Sequence, residues 1–156
     1  MQSNRIVTIV LVVLLAIFLQ VLFVFADNQD TPHRAAVEFA TAYVKYDRAT
    51  LKDRLCEENR VVDEVDVVDA YIHQQYQRAQ DLGYSLNYMK DCLYHVRTHT
   101  VSADHTTATV RLTAERRSPL RSFFGGTSHH LDETLELVRE DGRWRVCGGP
   151  FSLPEA

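Results

Sequence analysis

The 156-residue chain contains no Gly-rich phosphate loop, no GxSxG elbow and no HExxH helix. The common nucleotide-binding, serine-hydrolase and zinc-protease classes therefore have no support. It also lacks an excess of positive charge: 17 Lys+Arg stand against 21 Asp+Glu, and a nucleic-acid partner would ordinarily require a basic face. Cysteine is scarce. Cys56, Cys92 and Cys147 are the three present, none of them in a CxxC or zinc spacing, so small buried apolar side chains account for them better than a metal or redox role. An oxidising compartment would permit one disulfide and leave one thiol over, with the pairing open. The acids Glu57, Glu58, Asp63, Glu64, Asp66 and Asp69 lack the alternating ligands and the Gly of a calcium loop. Enrichment at a helix N-terminus, where they complement the dipole, explains them.

What the chain has in abundance is apolar residues at its start. Ile6 to Ala26 is an uncharged run of 21 residues, broken only by Thr8 and Gln20, long enough as a helix to cross the hydrocarbon core of a bilayer. Arg5 precedes the run and Asp27 and Asp30 follow it, so the positive-inside bias leaves the N-terminus in the cytoplasm and everything after Ala26 outside. Val24 and Ala26 also satisfy the small-residue rule for signal-peptide cleavage before Asp27, but the run exceeds the roughly 7 to 15 residues of an ordinary signal core. The expectation is a retained single-pass anchor, residues 1–26, with the lipid bilayer as partner of residues 6–26. The cell membrane is the expected address, with secretion the alternative if the segment is cleaved before Asp27. No cysteine near the end of the run offers a site for lipoprotein attachment. The exported part, residues 27–156, is one domain's worth of chain. It carries 16 Lys+Arg against 21 Asp+Glu, a net of −5.

Thr31-Pro32 opens a first helix, with Ala36, Phe39, Ala40 and Tyr43 recurring at helical spacing. Asp47 caps a shorter one carrying Leu51, Leu55 and Cys56. A third is expected from about Asp63 to Leu82, with Val65, Val68, Ile72, Ala79 and Leu82 on one side and Gly83 as its stop. Beyond Gly83 the period changes to two. Cys92, Tyr94 and Val96 share one strand face against His95, Arg97 and His99; Ala108, Val110, Leu112 and Ala114 alternate in a second strand; Leu131, Leu135 and Leu137 mark a third. Asp141-Gly142 then turns the chain into a returning strand, Arg143 to Cys147. Helices followed by long antiparallel strands predict an α+β fold, three helices packed on one face of a curved antiparallel sheet.

That element order, together with the closing phrase LELVREDGRWRVCGGPF and its Asp141, Gly142, Trp144 and Val146, resembles the nuclear transport factor 2-like, or cystatin-like cone, superfamily. An anchored cone is similar to several bacterial envelope proteins, among them Mce-associated proteins and assembly proteins of type IV secretion; the resemblance carries architecture only. Enzymes of the superfamily place Asp, Tyr or His in a pocket between sheet and helices for proton transfer. The matching candidates are Tyr43, Tyr71, Tyr76 and Tyr94, with Tyr46, Asp47 and His73 nearby in sequence.

Histidines do not make a metal site by spacing. His95 and His99 on one strand would stand about 13 Å apart at about 3.3 Å per residue, and His129-His130 lack a third ligand. The stretch Arg116 to Gly126 joins two strands and combines Arg116, Arg117 and Arg121 with Phe123 and Phe124. Paired aromatics beside arginines suit a protein groove or an anionic membrane surface. The functional expectation is a membrane-tethered, non-enzymatic envelope domain that acts as an interaction or assembly module toward another envelope protein through its sheet face and this loop, without cofactor or metal. The alternatives are a small-ligand or proton-transfer site in the cone and a purely structural role as stabilising partner of another membrane protein.

Overall fold

The computed structural model describes residues 2–27, 29–119 and 128–148 and divides into two compact units, Met1–Asp30 and Thr31–Ala156. The first unit is one helix, α1 (Gln2–Asp27), about 39 Å long at 1.5 Å per residue. Its described side chains, Val7 to Phe23, are all exposed. They number 17, and among the described residues no helix is long and apolar enough to cross a membrane.

In the second unit, α2 (Pro32–Lys45) starts as its sequence requires: Thr31 accepts the Arg34 amide at 3.2 Å, and Pro32 takes the first turn, where its missing N–H has no intrahelical partner to lose. Ala36, Phe39, Ala40 and Tyr43 are buried, as are Ala35, Ala42 and Val44. The wider apolar surface follows from what α2 meets, since it packs across four strands and against α3 (Arg48–Arg54). Asp47 caps α3 by accepting the Ala49 and Thr50 amides. After it, Leu55 bridges in parallel to Val146, and the Cys56 amide donates to the Val146 carbonyl at 3.1 Å.

A 3-10 turn (Glu57–Asn59) leads into a two-stranded ribbon, β1 (Val61–Val62) and β2 (Val65–Asp66). The third long helix, α4 (Val67–Asp81), begins four residues later than the acidic run suggests. Asp63 and Glu64 both have positive φ, 50° and 65°, which a right-handed helix does not accept, and Asp66 is the cap, accepting the Asp69 amide at 3.0 Å. Val65 and Leu82 thereby fall outside the helix and are exposed, while Val68, Tyr71, Ile72, Gln75 and Ala79 are buried. Lys52 bridges Asp66 and Asp69 at 2.8 and 2.9 Å, tying α3 to the start of α4. Gly83, at φ 73°, ends the segment as expected: its amide donates to Gln80 and that of Tyr84 to Ala79. A single-turn helix, α5 (Leu86–Met89), follows.

The sheet is an antiparallel meander, β3 (Cys92–Ala103), β4 (Thr107–Arg117), β5 (His129–Glu140) and β6 (Arg143–Val146), in spatial order β3-β4-β5-β6. The expected alternation holds in β4 to β6, where Ala108, Val110, Leu112, Ala114, Leu131, Leu135, Leu137, Trp144 and Val146 face the helices. Asp141 and Gly142 both have positive φ, the conformation a two-residue hairpin needs. In β3 the alternation breaks. His95 has φ 51° and the pairing with β4 shifts between Tyr94 and Arg97, so one extra residue moves the later side chains to the opposite face. Leu93 and Val96 pack on the core, whereas Tyr94 is 40% exposed.

Candidate functional site

The four tyrosines singled out from the sequence are not brought together. Tyr43 and Tyr71 are buried and stack with centroids 4.5 Å apart, and the Tyr71 hydroxyl donates to the Tyr43 carbonyl at 3.1 Å. Burial, reinforced by Tyr43 and Tyr46, raises the Tyr71 pKa above that of an ordinary phenol. Together with Phe39, Ile72 and Leu112 they fill the space between α2, α4 and the sheet. Tyr76 lies on the exposed side of α4, where it accepts a hydrogen bond from Gln80. Tyr94, displaced by the bulge, lies beneath the Arg117 guanidinium at 5.5 Å.

The expected contact loop divides in the same way. Arg116 and Arg117 belong to β4. Arg117 pairs with Glu115 at 3.2 Å, and Arg116 donates from Nε to Asp91 at 2.6 Å. Asp91 is 4% exposed, and its own amide donates to the Val44 carbonyl at 3.0 Å. The Asp91–Arg116 pair therefore joins the entrance of β3 to the end of β4 and to α2. Arg121, Phe123 and Phe124 lie outside the described residues.

A different set of residues surrounds a pocket. Tyr46, Gln75, Arg78, Leu82, Tyr84, Tyr88, Met89 and Arg116 enclose about 280 Å³ where the end of α4, α5 and the end of β4 converge. Tyr46 enters it because α2 ends there in the left-handed region, φ 56°, an uncommon conformation for an aromatic residue. Its ring rests 6.0 Å from that of Tyr71 and its hydroxyl donates to the Met89 carbonyl at 3.4 Å. Tyr84 and Tyr88 pair at 4.7 Å. Gln75, 5% exposed, adds a buried amide. The lining has two cations and no acid, with Asp91 set behind Arg116. The sequence analysis did not single out Tyr84 and Tyr88; their four-residue separation after the helix-stopping Gly83 is the one local signal that could have pointed to them. No periodicity connects them to Arg116. A broader, open trough of about 600 Å³ between α2 and α3, lined by Glu38, Lys45, Asp47 and Asp53 among others, carries mixed charge.

The histidines take ordinary positions. His33 links β3 to α2, its ring nitrogens 3.0 and 2.8 Å from the hydroxyls of Thr98 and Thr100, and His95 lies 3.6 Å from Glu115. Cys56 and Cys147 form a disulfide, and Cys92 is the free thiol. Glu140 stands beside that disulfide, and its carboxylate is held by Arg145 at 2.8 Å.

No protein-family model matches the chain, and no curated protein matches it. Among solved structures, one that it resembles is an NTF-2-like protein of unknown function from Shewanella oneidensis MR-1. The identity is 8% and the TM-score 0.47, over 72% of this chain and 88% of that one. Similarity at that level transfers no residue role. The helices-on-sheet architecture stands on this chain's own strand register and packing.

Proposed function

We propose that this protein is a membrane-tethered interaction domain: α1 anchors it in a bilayer, and the Thr31–Ala156 unit, a nuclear transport factor 2-like cone, acts outside the cytoplasm against another envelope protein. The observation that carries this reading is the surface of α1. Fourteen large apolar side chains from Val7 to Phe23 are exposed. At roughly 1.5–3 kcal/mol for each such side chain moved out of water, their burial in lipid is worth on the order of 20 kcal/mol or more, beyond the ~5–15 kcal/mol that holds a whole domain folded. Ile6 and Val24 to Ala26 extend the apolar run to 21 residues in sequence. The Cys56–Cys147 disulfide is consistent with an oxidising compartment, the side to which Arg5 directs the domain. For the partner contact, the reading draws on Phe123 and Phe124 in sequence and on the β1–β2 ribbon, whose Val61, Val62 and Val65 are each more than half exposed.

The test is alkaline extraction of native membranes followed by N-terminal mapping and cross-linking. Retention in the pellet with residues 1–26 intact is expected, and a cross-linked companion should disappear in a Phe123→Ser/Phe124→Ser variant that still folds. A released form beginning at Asp27 would refute the tether.

A further inference from the structure

We propose that Cys56, Cys147 and Glu140 form a zinc site when the Cys56–Cys147 disulfide is reduced, so that one cluster holds either a disulfide or a metal ion. This goes beyond the tethered-domain reading and does not depend on it.

Distance selects the trio. The two sulfurs and a carboxylate oxygen of Glu140 all lie within 4.8 Å of one another. Ligand atoms stand about 2.0–2.3 Å from a zinc ion, so rotation of three side chains is enough to bring them onto one. The backbone keeps the two cysteines together without the bond between their sulfurs. The Cys56 amide donates to the Val146 carbonyl at 3.1 Å, next to the Leu55–Val146 bridge. The Cys147 amide donates to the Glu136 carbonyl at 2.8 Å, and the Asn59 side chain donates to the Cys147 carbonyl. Glu136 and Glu140 belong to the same strand, β5. Reduction therefore leaves two thiols side by side next to an acid, rather than two separated segments of chain.

Glu140 is held in the manner of a metal-binding carboxylate. Its Oε2 accepts from Arg145 Nη1 at 2.8 Å and from the Glu57 amide at 3.3 Å. A carboxylate has about four acceptor positions on its two oxygens, and carboxylates that bind metals are themselves hydrogen-bonded by groups behind them. Arg145 also completes the charge balance. Two thiolates and a carboxylate carry three negative charges, against two positive on zinc and one on the Arg145 guanidinium, whose side chain is 12% exposed. Glu57 stands 3.8 Å from the same guanidinium but is 70% exposed, where solvent screens it. Thiolate ligands select zinc over magnesium or calcium, which take oxygen ligands. Three protein ligands leave the fourth position of a tetrahedral ion to water.

A dithiol passes two electrons and two protons to the disulfide and closes into a disulfide of its own, leaving Cys56 and Cys147 as thiols. Zinc displaces both thiol protons as it binds. In an oxidising compartment the disulfide form prevails; the metal form belongs to the reduced chain.

The experiment is titration of the full chain in detergent micelles with Zn²⁺ against a chromophoric chelator, under nitrogen, before and after reduction by dithiothreitol and its removal. Reduced wild type should bind one zinc ion with a Kd below about 1 μM. The oxidised protein should bind none in that range, and Mg²⁺ should not compete. Glu140→Gln, which keeps both cysteines, should weaken zinc by at least about tenfold, and Cys92→Ser should leave binding unchanged. Cys147→Ser, compared with reduced wild type because both lack the disulfide, should abolish it. Circular dichroism melts establish which samples are folded, and if reduced wild type is not, one equivalent of zinc should restore a cooperative melt. The proposal is overturned if reduced wild type binds no zinc or stays unfolded in its presence. It is equally overturned if the oxidised protein binds as tightly, if Mg²⁺ competes, if Cys92→Ser abolishes binding, or if Glu140→Gln or Cys147→Ser binds undiminished.

Discussion

Asp91 illustrates how one side chain holds separate elements together. It is 4% exposed, its amide donates to Val44 on α2, and its carboxylate accepts from Arg116 at the end of β4. Removing one member of a buried pair leaves the other charge uncompensated, which costs about 3–5 kcal/mol when burial is complete. Because the Arg116 side chain is 20% exposed, Asp91→Ala should destabilise the protein by about 3 kcal/mol, the low end of that range, read as a lower urea midpoint with unchanged slope. The comparison is Asp132→Ala. Asp132 receives two hydrogen bonds from Arg111 on an exposed part of the sheet, where solvent screens the pair, so its loss should leave the midpoint where it was. Solvent access is what separates the two aspartates.

Among the elements, the turns account for where strands begin and end. Between β3 and β4, Asp104 accepts the amides of Thr106 and Thr107 at 2.8 and 2.7 Å and the Thr107 hydroxyl at 2.9 Å. These bonds, led by that from the Thr106 amide, lower its pKa to about 2. A carboxylate depressed in the folded state stabilises the fold above its unfolded pKa, near 3.9, and that contribution fades as pH falls through the folded value. The melting-temperature difference between wild type and Asp104→Ala should therefore be full at pH 6, shrink between about pH 4 and pH 2, and close below that. A difference that stays constant across this range would show that the turn does not depend on the charge. Asp63-Glu64 and Asp141-Gly142 solve the same geometric problem with unequal ease. Both are two-residue turns with positive φ throughout, but only the second has the glycine that makes such a turn legible in sequence. The helix expected to start at Asp63 starts at Val67 for this reason.

At the scale of the molecule, the disulfide closes the largest loop. Cys56 and Cys147 are 91 residues apart and fasten the segment after α3 to the end of β6, beside the Leu55–Val146 bridge. Asn59 adds a side-chain hydrogen bond to the Cys147 carbonyl. Closing a loop of that length in the unfolded chain is worth about 4–5 kcal/mol. A Cys56→Ser/Cys147→Ser variant should lose about that much stability by denaturant titration, and added reductant should then make no further difference to it. Alkylation and mass measurement of denatured wild-type protein should find one modified cysteine before reduction, Cys92, and three after.

Properties that depend on neighbours in the chain were determined by sequence alone. The caps at Thr31 and Asp47, the stop at Gly83, the Asp141-Gly142 turn and the alternation of β4 and β5 are each set by side chains within a few residues of the backbone they act on. Apolar character from Ile6 to Ala26 is likewise a property of the run itself. Properties that depend on which distant segments meet were decided by the tertiary structure. The bulge at His95 turned Tyr94 outward, because the register with β4 left one residue unmatched. Packing of α2 against α4 brought Tyr43 onto Tyr71 and left Tyr76 in solvent. Cys56 found Cys147 rather than Cys92 through the bridge between Leu55 and Val146. The pocket, with Tyr46, Gln75, Arg78, Tyr84, Tyr88 and Arg116 drawn from 71 positions of chain, exists only where those elements converge, and no spacing along the chain encodes that convergence.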